Sequence, residues 1–86
     1  MALTNLLRFR RSRVVELEAS IQYATWQIEA QVARIAAIRG YGGDETLAAR
    51  VLTCMQSHVE ALKALLSYTN TAYQYDLARS DERKWR

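Results

Sequence analysis

A chain of 86 residues with a formal charge of +3 makes one domain at most. Half of its residues are hydrophobic and 24% are charged, which excludes a disordered, strongly charged chain. Cys54 is the only cysteine and no CxxC or HxxxH spacing occurs, so the disulfides and zinc sites that staple small cores are absent.

Oligomerisation or partner binding is therefore the expected source of extra stability, because so short a chain buries little of its own surface. No apolar run approaches the roughly 18–20 residues of a membrane span. At the N-terminus the apolar residues precede Arg8, Arg10, Arg11 and Arg13, the reverse of a signal peptide's order. With one lone thiol, these features point to a cytoplasmic protein without a membrane role.

Taken from the start, the chain predicts a first helix over about 5–39, with Thr4 or Asn5 as its cap. Leu7, Val14, Ile21, Ile28 and Ile35 recur every seventh residue, and Leu3, Leu17, Ala24 and Ile38 fall at the companion position, where Arg10 and Gln31 are polar exceptions. All three glycines lie in Gly40-Tyr41-Gly42-Gly43, and Asp44 follows them. Glycine suits a helix C-terminus and Asp a helix N-cap, so a loop is expected over 40–44. The second helix is expected over about 45–79, with Leu52, Val59, Leu66 and Tyr73 in one row and Ala48, Met55, Leu62 and Thr69 in the other. A frayed basic tail is expected over 80–86.

Two sustained heptad patterns joined by so short a loop predict an all-α antiparallel hairpin of coiled-coil type. Folding about the glycines pairs Ile21 with Leu62, Ile28 with Met55, Leu17 with Leu66, Ala24 with Val59 and Ile35 with Ala48. The same register sets Arg10 beside Tyr73 and Asp76, and leaves Gln31 near Leu52 with no evident mate. The hairpin is expected to assemble further, into a four-helix bundle or a larger helical oligomer.

The faces away from that seam are short of charge. In the first helix Ala19, Tyr23, Trp26, Ala30, Ala33 and Ala37 alternate at spacings of four and three. In the second, Cys54, Ser57, Ala61, Ala64, Tyr68, Thr71 and Tyr75 do the same. Small residues let helices approach closely and aromatic rings anchor interfaces, so these rows predict outer packing seams. The alternative is plain helix-forming alanine with scattered surface rings. Val51, His58, Leu65 and Ala72 widen the apolar face of the second helix beyond what a two-helix seam needs.

In an antiparallel hairpin the termini meet. Arg8, Arg10, Arg11 and Arg13 are expected to join Arg79, Arg83, Lys84 and Arg86 in a basic pole, with Phe9 and Trp85 among them. Such a pole suits phosphate backbones or an acidic protein. Glu16, Glu18, Asp76, Asp81 and Glu82 share the region and offset much of the charge. Dimeric RNA-binding hairpins of plasmid copy-number control resemble this architecture, without a match of sequence. Secretion needle subunits are similar in size and hairpin plan, although their Pro-containing loop is missing here.

No catalytic constellation assembles. Cys54 and His58 share a helical face but make only two ligands, and are expected as a buried thiol and a seam histidine. The glycine loop follows a helix and lacks the context of a phosphate-binding loop. The expectation is a non-enzymatic module without cofactor that pairs with itself and binds or occludes a larger partner, as small bacterial or phage regulators do. Nucleic-acid regulation through the basic pole and membership of a helical filament are the alternatives.

Overall fold

The computed structural model describes residues 2–84, with side chains over 4–81. Two helices, α1 (Ala2–Gly40) and α2 (Thr46–Lys84), pack as an antiparallel hairpin 69 Å long and 15 Å by 14 Å across. Both helices overrun the ends read from the sequence. Thr4 and Asn5 lie inside the first turns of α1 and do not cap it, because nothing in Ala2-Leu3 interrupts helix formation. Residues 80–84, expected as part of a frayed tail, continue α2, since no proline or glycine intervenes; residues 85 and 86 lie outside the described residues.

The loop is closed by backbone and side chain together. Gly43 N–H donates to the Ile38 carbonyl at 2.9 Å and Gly42 N–H to that of Arg39 at 3.1 Å. This pair of bonds is a Schellman motif, and it needs a left-handed residue at its penultimate donor. Gly42, at φ +77°, supplies it, so the terminating glycine is the second of the three and not Gly40. Asp44 then caps α2: its Oδ1 accepts from the Thr46 N–H at 2.9 Å and from the Thr46 hydroxyl at 2.6 Å. Arg39 bridges the loop, donating from Nε and Nη2 to the two oxygens of Glu45.

The seam follows the heptads. With a at Leu7, Val14, Ile21, Ile28 and Ile35 in α1, and a at Leu52, Val59, Leu66 and Tyr73 in α2, every described a and d residue of the two helices is buried or half-buried. Leu17, Ala24, Ile35 and Val59 are the most enclosed apolar side chains. Among the described residues no large side chain is completely buried, because two helices give each core residue a partner on one side only.

Candidate functional interface

Three polar residues are buried in the seam, Gln31, Thr69 and Asp76, and Arg10 stands there half-buried. Asp76 sits 2.5 Å from Arg10 Nε, and both facing atoms are sealed from water. Arg10 thus finds Asp76, one of the two neighbours expected for it. Gln31 is not without a mate, as the sequence suggested. Its amide donates to the Ala48 carbonyl at 2.9 Å, and its oxygen accepts from Arg34 Nη1 at 2.8 Å. The sequence hides this because the acceptor is a backbone oxygen, which any residue carries.

Which rows share a side follows from the antiparallel pairing, in which e faces e and g faces g. One shallow groove is lined by Val32 and Arg39 of α1 and Ala49 of α2, all e positions, with the a residues Ile35 and Leu52 beneath. That is one broad face. On the opposite face a second groove is lined by Arg10, Tyr68, Thr71, Ala72, Tyr75 and Asp76, drawn largely from the d, g and c rows.

The two faces differ in chemistry. The e and b rows carry Glu18, Glu29, Arg39, Glu60 and Lys63, with Gln22, Gln56, Asn70 and Gln74 between them. The g and c rows carry Leu6, Phe9, Tyr23, Leu47, Val51, Leu65, Tyr68 and Tyr75, every one exposed. Between residues 19 and 75 the only charge in those two rows is Arg34, and it is held against Gln31. The e and b rows also expose Val15 and Val32, so the contrast lies in the aromatic residues and the scarcity of charge on the g and c side, which make it the dry face.

Each residue of the expected outer seams is exposed: Ala19, Tyr23, Trp26, Ala30, Ala33 and Ala37 on α1, and Ala61, Ala64, Tyr68 and Tyr75 on α2. Their arrangement differs from two opposite faces. Tyr23, Ala30 and Ala37, like Ala61, Tyr68 and Tyr75, occupy c positions that flank the same dry face from its two edges. Ala19, Trp26, Ala33 and Ala64 occupy the f rows on the helix backs. The sequence could not separate these, because on a single helix c and f are neighbours and only the pairing says which side c joins. Cys54 and His58 are both exposed, at c and g, and not enclosed as expected. They lie beyond the reach of a two-helix seam.

The basic pole is partly neutralised. Arg10 pairs with Asp76, Arg13 lies 3.4 Å from Glu16, and the Arg79 guanidinium lies 5.9 Å over the Tyr75 ring. Arg8 and Arg11 are exposed, with Phe9 between them at 66% exposure. The side chains of Arg83 and Lys84, and Trp85 and Arg86 altogether, lie outside the described residues.

Among the described residues no three metal-ligating side chains come together, and no helix is long and apolar enough to cross a membrane. Comparisons with protein families, with curated proteins and with solved structures found no match.

Proposed function

We propose that the hairpin is a non-enzymatic assembly module. It pairs with itself through its exposed helix faces and presents the remaining surface to a larger protein, which it binds or occludes. The observation that carries this reading is exposed aromatic area: Tyr23 is 61% exposed, Trp26 58%, Tyr68 73% and Tyr75 63%. Aromatic side chains are the strongest interface anchors and cost the most to leave in water.

Surface area supports it. A compact monomer of this mass exposes about 5,200 Å², whereas the hairpin exposes 6765 Å². Its radius of gyration is 19.6 Å, against about 12 Å for a compact chain of this length. Packing against further helices removes that excess.

The test is solution mass by light scattering over a concentration series, at low and high salt, with Trp26→Glu beside the native chain. The native hairpin is expected above monomer mass, and Trp26→Glu at a lower assembly state with its helicity retained. Unchanged mass and helicity in that variant would remove the helix backs from the interface. Mass that climbs without limit would identify a filament subunit, since contacts that do not close make open assemblies.

A second reading, nucleic-acid binding, rests on the exposed Arg8-Phe9-Arg11 set. It requires affinity for RNA that falls steeply with salt and weakens in Arg8→Ala/Arg11→Ala. Salt-independent or absent binding removes it.

A further inference from the structure

We infer that the partner covering the dry face is a second copy of this chain lying antiparallel to the first, α2 upon α2, with Tyr68 and Tyr75 seated on the partner's Ala61 and Cys54. The inference rests on the proposed self-association and specifies its geometry. Three observations on the molecule support it.

The first is size. The c row of α2 reads Leu47, Cys54, Ala61, Tyr68, Tyr75 from the loop end outward. Beyond Leu47 in the first turn, two small residues precede two tyrosines, and the change of size falls near Leu65, at the middle of a helix that spans Thr46–Lys84. A two-fold axis across that midpoint lays each tyrosine over a small residue of the partner, Tyr68 over the partner's Ala61 and Tyr75 over the partner's Cys54. A parallel two-fold lays α2 on the partner's α1 instead, where Tyr75 comes level with the partner's Phe9 and the match of large to small is lost.

The second is charge. Outside 21–65 eight cations meet the five carboxylates Glu16, Glu18, Asp76, Asp81 and Glu82 and leave a net +3 at the terminal end, whereas over 21–65 the four cations Arg34, Arg39, Arg50 and Lys63 balance Glu29, Asp44, Glu45 and Glu60. Parallel copies would stack two basic ends. Antiparallel copies set each basic end over a neutral one, and like charges brought together are what specific interfaces avoid.

The third is area. The broad face measures 69 Å by 15 Å, on the order of 1,000 Å², against about 800 Å² per partner for a stable interface of standard size. The dry face alone therefore suffices for a closed dimer, and the helix backs, with Trp26, stay available for a next level of assembly, the one on which Trp26→Glu reports.

Two measurements on the full chain test the arrangement. In the first, a nitroxide is placed on the helix back by Arg50→Cys in a Cys54→Ser background, and the distance between the two labels is read by pulsed electron resonance. At 1.5 Å per residue the antiparallel dimer separates them by about 45 Å or more, and the parallel dimer by about 30 Å or less. The second measures dimer dissociation constants. Ala61→Tyr and Tyr68→Ala are each expected to weaken the dimer by about tenfold or more, the loss that follows when an interface anchor is truncated or its socket filled. The double variant restores large-on-small contact with the sides exchanged, and should return the constant to within about threefold of native.

A monomeric native chain would overturn this arrangement and the self-association beneath it. A dimer with the short label distance, or one that the double variant does not recover, would overturn the antiparallel pairing and leave self-association standing.

Discussion

Arg10 and Asp76 occupy seam positions that leucine or valine would fill in a plain heptad, and each would be a liability alone. The Asp76 side chain keeps 10% exposure and that of Arg10 29%. A charge so enclosed is tolerated because its opposite lies against it, and removing one partner strands the other. Asp76→Ala should therefore lower unfolding stability by about 2 to 3 kcal/mol, below the full penalty for a deeply buried pair because Arg10 keeps part of its hydration. Urea denaturation followed by circular dichroism measures this. A loss under about 0.5 kcal/mol, the size of an exposed pair, would show that water already screens the contact. Gln31 works differently. Its amide donates to the Ala48 carbonyl and its oxygen accepts from Arg34, so a buried polar side chain is satisfied without a charged mate across the seam.

At the scale of elements, the loop is where electrostatics and backbone geometry act together. The Arg39 guanidinium, hydrogen-bonded to Glu45, holds the Glu45 carboxyl below its ordinary value, and the Thr46 hydroxyl and N–H hold Asp44 below its own. Carboxyls depressed in the folded state contribute stability above their unfolded pKa and lose it as pH falls through the folded one. Thermal stability should therefore drop as pH is lowered from about 5 to about 3, and less steeply in Asp44→Asn/Glu45→Gln. Parallel melting curves of the two proteins check this, and equal slopes would show that the loop carboxylates do not contribute. Much of this element was legible beforehand. The clustered glycines located the turn, Asp44 announced the cap, and apolar repeats on both sides marked the faces that turn inward. What stayed hidden depends on placement in three dimensions. The choice of Gly42 over Gly40 turns on a left-handed φ, the Gln31 acceptor is a backbone atom, and the sidedness of Tyr23, Tyr68 and Tyr75 follows only once two helices face each other. The helix ends were misjudged because Thr4 and Asn5 read as caps when nothing compelled the helix to start there.

At the scale of the whole molecule, one dry face and, among the described residues, no fully buried large side chain are what the proposed self-association would complete. If association supplies the missing core, the melting temperature should rise by about 3 to 5 °C for each tenfold increase in chain concentration, whereas a self-sufficient monomer melts at a fixed temperature. Calorimetry over two decades of concentration decides between them. The equal helices, 39 residues each, carry a further consequence. They are pinned near both ends, by Arg39–Glu45 at the loop and Arg10–Asp76 toward the termini. Losing seven residues from one helix alone would slide the far pin out of reach. Losing seven from each keeps both pins and every layer in phase, and shortens the rod by about 10 Å. Length in this molecule is thus quantised, and a descendant of different reach must arise through matched changes on the two sides of the turn.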